Sequence, residues 1–250
     1  MALRTFLRTL GSGAPSVDTA VRTARVQPGA PLECTVTVQG GAVDLHVERL
    51  RLELVVRAED MEADGSAAWN NPYVITVSPA QSFPLPAGET LHLAVSLDVP
   101  WEMPLTHANG VRLAGSRVAV RTELAVDGAV DRGDFDEIEV HALAAQDLLF
   151  EIYGELGFRF HESEVKVMAQ PWPERMRDRR TAPYWQELDF HFPSSYGPGR
   201  GELETVLITR HDELDVHPGG YPPVTLSAKD LDREAWTRAV DEHIRGHWAR

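Results

Sequence analysis

Apolar and polar side chains alternate at every second position through much of the first half of the chain. Leu50, Leu52, Leu54 and Val56 fall on one side while Arg49, Arg51, Glu53 and Arg57 fall on the other, the pattern of a strand with one buried face. The same alternation runs through Cys34, Val36 and Val38, through Leu91, Leu93, Val95, Leu97 and Val99, and through Val118, Val120, Thr122 and Leu124. Between these runs stand Gln27-Pro28-Gly29, Gly40-Gly41, Asn71-Pro72, Pro84-Leu85-Pro86-Ala87-Gly88 and Asn109-Gly110, whose residue types supply the backbone angles of reversals. Many short strands with such punctuation predict a β-sandwich.

The pattern breaks near Asp127-Gly128, where Asp131, Asp134, Asp136, Glu137 and Glu139 face only Arg132. This reads as an acidic linker, kept extended by self-repulsion. After it, Ala145, Leu148, Leu149, Ile152 and Leu156 recur at helical spacing, with Asp147, Glu151 and Glu155 as an acidic row and Gly157 placed to end the helix. Strand patterns return at 165–167, 187–192 and 202–210. A terminal helix is expected to start at Ser227 or Asp232 and to carry Trp236, Val240, His243 and His247 as its stripe. At the other end Leu3, Phe6, Leu7 and Leu10 predict a short amphipathic helix, either packed on its own domain or docking to a partner or membrane surface. The expected fold is mainly β, in four stretches. Residues 1–13 form an N-terminal amphipathic segment, 14–127 a first β-sandwich, 128–140 the acidic linker, and 141–250 a second β-sandwich with added helices.

Composition narrows the function. The chain has 250 residues, 43% hydrophobic and 25% charged, which is ordinary for a globular protein. With 24 basic and 38 acidic side chains its net charge is −14, so phosphate backbones repel it and nucleic acid is a poor partner. No stretch approaches the roughly 20 consecutive apolar residues of a membrane-spanning helix. The single cysteine, Cys34, has no partner for an internal disulfide, and a cytoplasmic location is expected.

Candidate chemistry is sparse. There is no Gly-x-Ser-x-Gly nucleophile turn, no Gly-x-Gly-x-x-Gly and no Gly-x-x-x-x-Gly-Lys, so neither serine nucleophilic catalysis nor nucleotide binding is expected. Cys34 lies on the apolar side of its strand and reads as a buried, inert thiol. His243 and His247 are spaced to share a metal ion on a helix, but Ile244 stands where a zinc protease needs glutamate. Asp131, Asp134 and Asp136 offer oxygen ligands for calcium without the spacing of an EF-hand. Trp172, Tyr184, Trp185 and Tyr196 lie near Arg175, Arg177, Arg179 and Arg180. Exposed rings of this kind hold carbohydrate, an arginine cluster holds an acidic or phosphorylated peptide, and packing or solvation is the plainer alternative. The candidate partner-binding residues are therefore Trp172, Arg175, Arg177, Arg179, Arg180, Tyr184 and Trp185. No catalytic, cofactor or metal residue is assigned.

Several short strings, taken in order, resemble one family. Leu10-Gly11-Ser12-Gly13, Val17-Asp18-Thr19, Gln27-Pro28-Gly29 and Val36-Thr37-Val38-Gln39-Gly40-Gly41 are followed by Ala129-Val130-Asp131, Ile138-Glu139-Val140, Leu156-Gly157-Phe158, Gln186-Glu187-Leu188-Asp189-Phe190 and Glu202-Leu203-Glu204. The series resembles the bacterial stage-zero sporulation-control protein M family. The resemblance implies two arrestin-like β-sandwich domains in tandem, a role in the onset of sporulation exercised through contacts with other proteins, and no catalytic residues. The segments 61–68 and 170–180 lie outside it. The expected function is a non-enzymatic scaffold or regulator; the alternative is a carbohydrate-type ligand-binding sandwich. Exposed sheet edges also make a homodimer an expectation.

Overall fold

The computed structural model describes residues 14–22, 25–59, 69–126, 129–167, 182–197, 201–220 and 222–248. The expected N-terminal helix lies outside them. The alternating runs of the first half all form strands, and further strands join them. In chain order these are β1 (Ser16–Val21), β2 (Arg25–Val26), β3 (Pro31–Gln39), β4 (Leu45–Val56), β5 (Tyr73–Val77), β6 (Gln81–Leu85), β7 (Thr90–Asp98), β8 (His107–Ala108), β9 (Val111–Arg112), β10 (Val118–Val126) and β11 (Ala129–Val140). A three-stranded sheet in the order β1-β3-β7 faces a six-stranded sheet in the order β2-β11-β10-β4-β5, with β6 pairing β4.

Between the sheets lie the predicted apolar faces. Leu32, Cys34, Val36 and Val38 come from one sheet, and Leu50, Leu52, Leu54, Val118, Val120 and Leu124 from the other. All are buried, which removes their apolar surface from water and supplies the main driving force for stacking the sheets. One polar link crosses this core, a hydrogen bond of 2.7 Å between the Thr19 and Thr122 hydroxyls.

The outer face of β4 and β10 is more than a solvated surface. Glu53 and Glu123 are buried there beside Arg121. Register places Arg121 across from Glu53 and Glu123 across from Arg51. Arg51 donates to Glu53 and to Glu123 at 2.9 Å each, Arg121 donates to Glu53 at 2.7 Å, and Arg49 binds Glu123. A buried pair of this kind contributes little net stability, whereas removing one member leaves a bare charge and is costly.

The expected linker is a strand. Residues 129–140 form β11, antiparallel to β10, with Ile138 opposite Val118 and Asp136 opposite Val120. Charge density suggested a repelled connector, yet the acids sit at ladder positions while Ile138 and Val140 are buried. The first sandwich therefore continues to Val140.

Then come α1 (Ala144–Glu155), β12 (Arg159–Val167), β13 (Tyr184–His191), a 3-10 turn at Ser194–Tyr196, β14 (Glu202–Thr209), β15 (Glu213–Pro218), β16 (Val224–Ser227) and α2 (Arg233–Trp248). The strands form one antiparallel sheet in sequence order, β12-β13-β14-β15-β16. Helix α1 packs Leu148, Leu149, Ile152 and Tyr153 inward, with Tyr153 edge-on to Phe190 at 4.7 Å and bonded to Thr205 at 3.2 Å. Of the two expected caps, Ser227 and Asp232, it is Asp232 that precedes helix α2, and its carboxylate accepts from the Ala235 amide at 3.0 Å. Its buried stripe is Trp236, Val240 and Ile244, while His243 and His247 are half-buried beside it. The expected stripe was thus one position off at its C-terminal end. Arg233 joins the helices, binding Glu155 at 2.6 Å and also Glu151.

Candidate functional site

Of the residues singled out for binding, Trp172, Arg175, Arg177, Arg179 and Arg180 lie outside the described residues. Tyr184 and Trp185 open β13 and point to opposite sides of the sheet. Tyr184 is only 3% exposed and its ring meets Tyr73 edge-on at 6.0 Å. Burial, together with Glu102 and Tyr73 nearby, pushes its hydroxyl well above the usual phenol range. Trp185 is half-buried and donates from Nε1 to Glu187 at 2.7 Å. The cavity beside them, lined by Trp101, Gln146, Tyr184 and Gln186 among others, holds about 20 Å³, space for a single water rather than a sugar ring. Tyr196, named with this cluster, is buried under α2, where Arg245 lies 4.4 Å over its ring.

The sandwich and the five-stranded sheet meet around that cavity. The Gln186 side chain accepts from the Leu105 amide and donates to the Leu105 carbonyl, both at 2.8 Å, much as a neighbouring strand would. Glu59 donates from its backbone to Val165 at 2.7 Å, and Ser163 to Ala114 at 2.9 Å. Gly115 has φ +87, and a Cβ there would fall 2.2 Å from the Ser163 carbonyl, so only glycine permits the approach.

A polar cluster borders the same junction. His107 stacks on His141 with ring centroids 4.7 Å apart. The Glu139 carboxylate binds His141 at 2.8 Å and Arg25 at 2.9 Å. The bond from His141 holds the Glu139 carboxyl below its usual range, and burial lowers His107. Beside it, Arg25, Val26, Gln27, Ala30, Pro31 and His141 line an open hollow of about 380 Å³, at the small end for a ligand cleft. Gln27 and Glu139 stand in strings quoted for the family resemblance, but no local spacing in the sequence joins the residues of this cluster. They come together because β2 pairs parallel to β11 and His107 bridges His141.

Two other features matter for recognition. Strand β7 pairs with β3 on one side, and on the other no strand pairs with it among the described residues. Its nine residues include no proline or lysine, and Asp98 is its one acid, so the devices that usually blunt an edge are nearly absent. The outer face of the five-stranded sheet is acidic: Asp189 stands opposite Glu204, and His191 opposite Glu202. Burial pushes the Asp189 carboxyl up to about 6, helped by Glu204, Glu187, Glu202 and Glu164.

Of the earlier metal candidates, His243 and His247 lie with ring centroids 4.5 Å apart, and His247 Nδ1 is 2.9 Å from the His243 carbonyl. Asp131, Asp134 and Asp136 occupy ladder positions of β11 rather than a loop. No described helix is long and apolar enough to cross a membrane. Cys34 is 1% exposed, as expected.

Comparison with known proteins agrees with this architecture. A solved structure of the sporulation-control protein Spo0M from Bacillus subtilis superposes with a TM-score of 0.73, covering 94% of this chain and 99% of that one at 23% identity. The curated sporulation-control protein Spo0M of Bacillus subtilis (strain 168) is 28% identical over 211 residues, 82% of this chain and 75% of that protein. The family described as SpoOM protein matches residues 3–217. The chain belongs to that sporulation-control family.

Proposed function

We infer that this protein is a non-enzymatic regulator of the sporulation-control type, acting in the cytoplasm as a scaffold that holds other proteins. The observation that carries this reading is the β7 edge, which offers main-chain donors and acceptors on a side that no strand pairs among the described residues, with Asp98 as its one charge and no proline. An extended segment of a partner adds to such an edge as an extra strand, with backbone hydrogen bonds supplying affinity and alternate side chains supplying choice. By contrast the β12 edge is occupied, since Ser163 and Val165 bond to Ala114 and Glu59. A second contact is proposed at Trp172, Arg175, Arg177, Arg179 and Arg180, where the cationic run suits an acidic partner segment.

Ala94 and Ser96 are exposed on β7, so Ala94→Lys with Ser96→Lys guards the edge without touching the core. Affinity capture from a lysate of the source organism is expected to retain a partner on the native protein and to lose it at least tenfold on this variant, with stability changed by under about 0.5 kcal/mol. Equal capture by both proteins sinks the edge reading. Recovery of no partner, together with turnover of a small substrate, sinks the scaffold itself.

A further inference from the structure

The outer face of the five-stranded sheet brings three potential ligands together that are far apart in the sequence. His161 lies on β12, His191 on β13 and Glu202 on β14, and these strands are neighbours in the ladder. His191 stands directly opposite Glu202, and Arg159, two residues before His161, stands opposite His191. The His191 Nδ1 atom is 3.4 Å from Glu202 Oε1, and His161 Nε2 is 3.7 Å from the same oxygen. The two rings have centroids 4.6 Å apart. These separations exceed ordinary hydrogen bonds. They are close to the edge of a coordination tetrahedron, about 3.3–3.4 Å when metal–ligand bonds are about 2.0–2.1 Å.

The surroundings favour a cation. Glu162 is 3.7 Å from His161, and Asp189 and Glu204 form the next pair along the sheet. Asp189 is buried with one carboxylate oxygen lacking a hydrogen-bond partner. The ion-pair partners of Glu202 are His161 and His191, and Arg159 is not among them. The other histidine–carboxylate cluster, His107, Glu139 and His141, differs on this point. There the glutamate is already bound by Arg25 and His141, and a guanidinium at 2.9 Å opposes an incoming metal ion.

We propose that His161, His191 and Glu202 form a binding site for one divalent transition-metal ion of the zinc class. Two imidazoles and one carboxylate are the donor set such ions prefer, while calcium and magnesium select oxygen ligands. The three side chains are 45%, 51% and 42% exposed, so the ion enters from solvent and keeps an open coordination position. With one ligand on each of three adjacent strands, the bound ion also clamps this end of the sheet.

The test is isothermal titration of the untagged full-length protein with zinc chloride at pH 7.5. One ion per chain is expected, unaffected by excess calcium, together with the visible absorption of a tetrahedral complex when cobalt(II) replaces zinc. His161→Ala, His191→Ala and Glu202→Gln should each weaken binding at least tenfold, while His107→Ala and His243→Ala leave it unchanged. Because the three ligands are about half exposed, metal-free circular dichroism and Tm should match the native protein in the His161, His191 and Glu202 variants. Failure of the native protein to bind, native affinity in both histidine variants, or loss of binding in His107→Ala or His243→Ala overturns the proposal.

Discussion

Cys34 illustrates how strand alternation fixes the chemistry of a single side chain. Its place between Leu32 and Val36 on the inward face buries it, and burial raises its thiol to about 11, with the Asp136 and Glu33 carboxylates adding to the rise. The ionised form is therefore disfavoured in the folded chain. Stability from this group is complete below the unfolded value near 9 and is lost as pH climbs through the folded value, at roughly 1.4 kcal/mol per pH unit within that window. Urea denaturation at pH 8 and pH 10 should show the native protein losing stability relative to Cys34→Val. Iodoacetamide at pH 8 should leave the native thiol unmodified while labelling the denatured chain; equal labelling of both contradicts the assignment. That burial was legible from the sequence because inward and outward positions alternate locally. The Glu53–Arg121 and Glu123–Arg51 pairs were not, because alternation marks these residues as outward-facing but cannot show that an outer face is covered.

Elements with a strong period were readable, and those defined by their partners were not. Helix α1 announces itself through Ala145, Leu148, Leu149 and Ile152, and its end through Gly157. That glycine adopts φ +92, and a Cβ there would meet Pro193 at 3.1 Å. The Phe158 amide then closes the turn on the Tyr153 carbonyl at 2.9 Å, the usual geometry of a left-handed helix end. Gly157→Ala is expected to destabilise the protein by about 1–2 kcal/mol in urea denaturation; a change below about 0.3 kcal/mol would place the strain elsewhere. Strand β11 went unrecognised because acidic composition outweighed its inward Ile138 and Val140. Strands β8 and β9 have two residues each, too few for any period to register. Likewise His161, His191 and Glu202 meet only through the pairing of β12, β13 and β14, and register between strands is not written in local spacing.

At the scale of the whole molecule, the β-rich character followed from alternation, which also pointed to a second β unit after the first; the described strands of that unit form one five-stranded sheet. How the sandwich meets the second sheet depended on contacts invisible to that pattern. Gln186 is the clearest example, since a polar residue on a strand suggests a solvent-facing position. Instead it lies on the same face as Leu188 and Phe190 and satisfies the Leu105 amide and carbonyl across the junction, with a further bond to Ser163 at 3.1 Å. Leucine has similar bulk but returns none of these bonds. Gln186→Leu strands a donor at the partly buried contact, at a cost of about 1–3 kcal/mol. Because the loss falls between the two sheets rather than within either core, the single cooperative unfolding expected of the native protein should broaden or split into two steps in this variant. Differential scanning calorimetry checks this directly. A Gln186→Leu protein that unfolds in one sharp transition at the native Tm would mean that the interlocking apolar residues around Leu105 and Tyr184 hold the halves together without the amide.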